Sequence, residues 1–217
     1  AAPLPDESGP FFVDLFSGCG GFSAGLEMAG FRSILGLDIH KFAIETYACN
    51  NPRAVTILGD IRSVEDGMLL EALGDKRVSL VTAGVPCQGF SLCNRKRHDD
   101  DERNFLFREF LRVAKLVKPE AILLENVSGI TRAGNGSFKE AILAEMNDMG
   151  FKASWRLLNA ADYGVPQLRN RVFFVGTKPG TEFKWPTPTH GGNRKPYVTV
   201  WEAIGDLPPL EVCESSD

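Results

Sequence analysis

The strongest constraint on this chain is an alternation. Short, continuously apolar runs recur, and amphipathic helical patterns lie between them. FFVDLF (residues 11–16), SILGLD (33–38), AVTIL (54–58), VSLVTAG (78–84) and AILLENV (121–127) read as strands. They do not switch between apolar and polar residues as a strand with one wet face would, so they predict strands covered on both faces. NFLFREFLRVAKLVKP puts Leu106, Phe110, Val113, Ala114 and Val117 on one helical stripe, with Asn104 as a cap and Pro119 as a stop. SFKEAILAEMNDMGF does the same with Phe138, Ile142, Met146 and Met149, and Gly150 stands just past its end. The alternation predicts an α/β fold: a doubly wound, mostly parallel sheet with helices on both faces.

Composition narrows the class further. At 217 residues the chain suits one α/β domain, alone or with an appendage. AAPLPDESG, residues 1–9, reads as a leader or an expression remnant, residues 10–178 as the main domain, and 179–217 as a connector rich in Pro, Gly and Thr. The five cysteines form no C-x-x-C pair and the three histidines are scattered, which points to a reducing compartment and to no metal site. No apolar run reaches the length of a membrane span, and no secretory pattern precedes the first strand; a bacterial cytoplasm, or a nucleus in a eukaryote, is the expected location. A net charge of −4 weighs against a free-standing nucleic-acid binder, although a local basic cleft or a basic partner region is compatible with it.

In an open parallel sheet, ligands bind beyond the carboxyl ends of the strands. Several chemically loaded residues fall there. Gly18, Gly20 and Gly21 in DLFSGCGGF let the backbone turn tightly and approach a ligand, but the spacing is not G-x-G-x-x-G, so a dinucleotide is disfavoured. Asp38 ends the second strand, as an acceptor for ribose hydroxyls or as a helix cap; Asp60 ends the third, as an acceptor for an exocyclic amine or as a turn acid. Together these suggest an adenosine-type ligand, and with no phosphate-grasping lysine nearby S-adenosylmethionine fits better than ATP. Cys87, held after Pro86 in GVPCQGFS, is a candidate nucleophile, with Cys93 as its rival. Glu125, in ENV, is costly on an apolar strand end unless it is satisfied by Asn126 and backbone or held to share a proton. Arg169 and Arg171 are spaced for one side of an extended segment and suit carbonyl or phosphate recognition, or simply cap a strand with charge. The charge run RKRHDDDER after Cys87 is a solvated loop or a closing lid.

Taken together, these segments resemble the cytosine carbon-5 methyltransferases. DLFSGCGGFSAGLE, GVPCQGFS, ENV and DYGVPQLRNRVFFVG follow that family's motifs in order, and LDIHKFAIETY and GDIR match its cofactor motifs more loosely, over residues 11–178. The resemblance implies a Rossmann-like, S-adenosyl-L-methionine-dependent enzyme that releases S-adenosyl-L-homocysteine and acts on double-stranded DNA. It implies Cys87 as the nucleophile toward carbon 6, Glu125 as the holder of a proton on ring nitrogen 3, and Arg169 at the exocyclic carbonyl, with Gln88, Asn126 and Arg171 in the same set. It implies Phe16, Gly18, Gly20, Gly21, Asp38, Ile39, Asp60, Ile61 and Pro86 around the cofactor. KRHDDDER departs from the glycines that many relatives carry in this loop. Relatives also continue into a target recognition domain and two further motifs, so the expectation is a truncated chain or one completed by a second subunit or C-terminal half, methylating poorly by itself. A restriction-modification role is one setting for such an enzyme. Three other readings stay open: a transfer-RNA cytosine methyltransferase with the same core, a catalytically silent regulator that binds cofactor or a partner, and a nicotinamide-dependent oxidoreductase.

Overall fold

A computed structural model of the chain describes residues 9–86 and 106–208. Asn104, Cys87, Gln88 and Cys93 therefore lie outside the described residues. Seven strands run as β1 (Phe11–Leu15), β2 (Arg32–Asp38), β3 (Val55–Leu58), β4 (Val78–Gly84), β5 (Ala121–Val127), β6 (Lys152–Asn159) and β7 (Asn170–Thr177). Helices α1 (Gly21–Met28), α2 (Lys41–Asn50), α3 (Asp66–Leu73), α4 (Leu106–Val117) and α5 (Ser137–Asp148) fall between them, and α6 (Val200–Ile204) follows. The sheet order is β3-β2-β1-β4-β5-β7-β6, a mixed, mostly parallel sheet. The pairs β1–β2, β1–β4, β2–β3 and β4–β5 are all parallel.

That order reverses its winding between β1 and β4. Successive connections leave in opposite directions there, and a crevice opens beyond the two carboxyl ends. The turn after β1 and the segment after β4 therefore meet as neighbours, although more than 60 residues separate them in the sequence.

The core explains the apolar runs. Phe12, Val13 and Leu15 on β1, Leu35 and Leu37 on β2, and Val81 and Ala83 on β4 are at most 1% exposed. The predicted stripe of α4 buries Leu106, Phe110, Val113 and Ala114, with Phe107 and Leu111 beside them and Val117 partly buried. In α5, Ile142 and Met146 are fully buried while Phe138 and Met149 pack at the margin, and Gly150 takes φ +85° past the end.

Two expectations need correction. β3 is not covered on both faces: Val55 and Leu58 are 43% and 53% exposed, because β3 is an edge strand. β5 buries every second residue, Ile122, Leu124 and Asn126, and leaves Leu123 and Glu125 half-buried. The elements α3 and β6 were not anticipated; KASWRLLN mixes charge, aromatic and apolar residues without a clear period.

The chain divides into two compact units, residues 1–156 with 172–183, and residues 157–171 with 184–217. The second unit has little regular structure but is tied together. The Asp162 carbonyl accepts from the backbone of Thr189 and His190, the Tyr197 hydroxyl donates to Asp162 Oδ1 at 3.0 Å, and Thr199 with Glu202 forms a reciprocal cap on α6.

Candidate active site

The turn after β1 is built from positive backbone angles. Phe16, Gly18 and Gly20 have φ of 55°, 54° and 89°. A Cβ on Gly18 or Gly21 would meet nothing within 4 Å, so the outer side of the turn faces open space, whereas one on Gly20 would press on Tyr47 and Asn51. The turn is pinned from several directions. Asp38 Oδ2 accepts the Gly18 N–H at 2.8 Å, the Leu37 carbonyl accepts the Ser17 N–H at 3.0 Å, and Asn50 Nδ2 donates to the Cys19 carbonyl at 3.0 Å. A backbone turn held this way keeps its shape before any ligand arrives.

Asp38 is buried, and its second oxygen accepts the His40 N–H at 2.8 Å. It does not cap α2; His40 holds the cap position, without a side-chain cap bond. Ile39, next to it, is 58% exposed at the same edge. Asp60 accepts the Arg62 N–H at 3.0 Å and grips the Arg62 guanidinium at 2.6–3.1 Å. The Arg62 hydrogen bonds hold its carboxyl below the usual range. Ile61, in the short 3-10 turn that Asp60 caps, is buried.

On the other side of the switch point, Gly84 pairs with Glu125 across β4 and β5. A Cβ at Gly84 would stand 3.8 Å from the Phe16 carbonyl oxygen and 3.9 Å from Glu125 Oε2. The glycine thus leaves a gap between the turn after β1 and the carboxylate of β5. Asn126 is 2% exposed; its Oδ1 accepts the Val127 N–H at 2.8 Å and its Nδ2 reaches the Val85 carbonyl at 3.5 Å. Val85 lies two residues before Cys87, and Pro86 between them is exposed.

Arg169 and Arg171 belong to the second unit. The Asn159 side chain accepts the Arg169 N–H at 3.1 Å, and the Arg169 carbonyl accepts from Ala160 at 2.9 Å, so the backbone that carries Arg169 is fixed within its own unit. Arg169 precedes β7 and Arg171 is its second residue.

One group escaped the sequence reading. Asp14, in the middle of β1, is 1% exposed. Its Oδ2 accepts from Ser23 Oγ at 2.7 Å, Ser23 Oγ bonds Tyr47 Oη at 2.8 Å, and Tyr47 Oη bonds Ser33 Oγ at 2.6 Å. Tyr47 fits against β2 because Gly36 has no side chain. Burial pushes the Asp14 carboxyl up to about 7 against the pull of Ser23, and the Tyr47 hydroxyl up to about 12. The available signal was an acid inside the run FFVDLF, where an unpaired charge is expensive.

Residues 11–212 match the family profile described as C-5 cytosine-specific DNA methylase. The chain belongs to that family. It is 40% identical over 207 residues to the type II methyltransferase M1.HphI of Haemophilus parahaemolyticus, covering 94% of this chain and 55% of the relative. It is 37% identical over 219 residues to the type II methyltransferase M.AquIA of Picosynechococcus, covering 91% of this chain and 88% of that one. A crystal structure of an Escherichia coli prophage protein, described as a DNA modification methyltransferase, superposes with a TM-score of 0.78 at 30% identity, over 93% of this chain and 56% of that one. The chain thus spans about half the length of M1.HphI and of the type II methyltransferase M.DdeI of Desulfomicrobium norvegicum, to which it is 40% identical over 210 residues. Among its described residues no helix is long and apolar enough to cross a membrane, and no group of three or more His, Cys, Asp or Glu could hold a metal ion.

Proposed function

We propose that the protein transfers a methyl group to carbon 5 of a cytosine swung out of double-stranded DNA, through a transient covalent adduct at Cys87. The observation that carries this reading is that the turn after β1 and the Glu125 carboxylate both approach Gly84, at 3.8 and 3.9 Å from where its Cβ would stand. The open face over Gly18 and Gly21, the anchored Asp38 and the exposed Ile39 suit an adenosine-type ligand, so we read this edge as the seat of S-adenosylmethionine. When bound, that cofactor supplies an electrophilic methyl group on sulfur.

The chain's own residues do the rest. Carbon 5 of cytosine is a poor nucleophile until a thiolate adds to carbon 6 and breaks the aromaticity. Cys87 supplies that thiolate. Glu125 keeps a proton on ring nitrogen 3, which gives the electrons of the addition a place to go. Asn126 steadies the strand end and the Val85 carbonyl on the approach to Cys87. Arg169 is the residue we assign to the exocyclic carbonyl as its charge grows, with Arg171 and Gln88 in the same functional set. Loss of the carbon 5 proton and expulsion of the thiolate then restore the ring. A base inside a duplex hides carbon 6, so the target must leave the stack at a cost of a few kcal/mol.

We assign this chemistry to residues 10–178, and target reading to sequence beyond them, supplied by the same polypeptide or a second one. The type II relatives favour a bacterial cytoplasm and a restriction-modification setting. The test is transfer from methyl-labelled S-adenosylmethionine to duplex DNA and, separately, to transfer RNA, with the product base identified by mass spectrometry. Label in 5-methylcytosine of the DNA is the expected result. Label confined to transfer RNA, or to any other base position, contradicts the reading.

A further inference from the structure

The buried Asp14 cluster is not used by the mechanism above, yet it lies directly behind the cofactor turn. Asp14 is two residues before Phe16 on β1, a separation of roughly 7 Å along an extended strand. Among the described residues, three buried side-chain oxygens lack a hydrogen-bond partner: Asp14 Oδ1, Ser17 Oγ and Thr82 Oγ1. Asp14 and Thr82 are register partners on β1 and β4, the two strands that flank the switch point. Polar atoms buried without partners are costly, and a polar site kept in this state is a candidate for function.

The hydroxyl chain sets the charge on this carboxyl. With Asp14 ionised, Ser33 donates to Tyr47, Tyr47 to Ser23, and Ser23 to Asp14, so each proton is used once. The groups that face it are acids or neutral: Asp38 from β2, Tyr47 from α2, Thr82 from β4 and, through Tyr47, Glu27 of α1, which is paired with Arg32. Among the described residues, no lysine or arginine shifts its titration. A cation arriving at the turn would therefore bring an opposite charge that no described lysine or arginine directs at this carboxylate.

S-Adenosylmethionine and S-adenosylhomocysteine differ by such a charge, since the donor has a sulfonium and the product a neutral thioether. We propose that Asp14 is a specificity residue whose buried negative charge makes the cofactor edge hold the cationic donor in preference to the neutral product. This rests on the cofactor reading given above. Burial leaves the carboxyl titrating near neutrality, so the preference grows as Asp14 ionises. A unit charge roughly 7 Å from the turn is worth at least about threefold between the two ligands, the value for the dielectric of water.

The test is calorimetric affinity for S-adenosylmethionine and for S-adenosylhomocysteine at pH 6, 7 and 8, in the wild-type protein and in Asp14→Asn. The expected result is a donor-to-product affinity ratio that rises at least about twofold more across this range in wild type than in the variant. The variant shares the ligands' own titrations, so the difference belongs to Asp14. Ser23→Ala is the second variant; it removes the hydrogen bond that favours the ionised form and moves the rise to higher pH. Equal ratios in wild type and Asp14→Asn, with both ligands bound, overturn the proposal and leave the cofactor reading standing. No binding of either ligand to wild type overturns both.

Discussion

Beyond β1 and β2 the backbone is closed on itself: the Gly18 N–H meets Asp38, Ser17 meets Leu37 and Cys19 meets Asn50. Beyond β4 and β5 a side chain is missing at Gly84, where a Cβ would touch both the Phe16 carbonyl oxygen and the Glu125 carboxylate. Both edges belong to the same parallel sheet, so the difference lies in what each must do. A ligand that only has to be held is best met by a rigid cradle. A base that has to enter, react and leave needs space beside its acid. The contrast predicts that substitutions on the two edges separate binding from chemistry.

The largest separation is expected at Glu125. Glu125→Gln removes the carboxyl proposed to hold the ring proton and should lower methyl transfer about a thousandfold while leaving S-adenosylmethionine affinity within about twofold. Loss of both in parallel would show that the two edges are not independent.

Asp14 comes next, through stability. Its carboxyl titrates near 7 in the folded chain, against 3.8 ordinarily. The folded state keeps a proton that the unfolded chain has given up, so this group costs stability as pH rises from about 4 to about 7, and the full cost is present above that. Asp14→Asn removes the cost. Urea unfolding should find the variant at par near pH 4 and gaining up to roughly 4 kcal/mol on wild type by pH 8. A difference independent of pH would mean that Asp14 is already ionised, or paired, across the range.

The smallest effect is expected at Asp38. Asp38→Ala frees the Gly18 and His40 N–H groups and loosens the cradle, which should weaken cofactor binding about tenfold with methyl transfer at saturating cofactor within about threefold. A larger fall in the saturated rate would place Asp38 in the chemistry as well.

The contrast between the edges also marks what the sequence made legible. The strands of the sheet centre were readable because burial on both faces writes itself as continuous apolar runs. Edge strand β3 and the half-exposed β6 do not share that signature, which is why the first was over-covered and the second missed. Asp38 and Glu125 were legible as site candidates because an acid at a strand end is expensive without a reason. Asp14 has the same signature but was absorbed into the strand, since its partners Ser23, Ser33 and Tyr47 are ordinary residues scattered over two helices and a strand. The two readings of Asp38 were both local, and neither foresaw that it would hold the N–H of Gly18, twenty residues away. Such long-range backbone contacts leave no pattern in the chain.

The central claim is a covalent bond between Cys87 and a flipped cytosine, and it is tested most directly by trapping. The protein is incubated with S-adenosylmethionine and a duplex carrying 5-fluorocytosine at the methylated position, where the fluorine blocks the final elimination. Peptide mapping by mass spectrometry is predicted to find the nucleotide attached to Cys87, and no adduct in Cys87→Ser. An adduct on Cys93, or methyl transfer that proceeds undiminished in Cys87→Ser, would contradict the account.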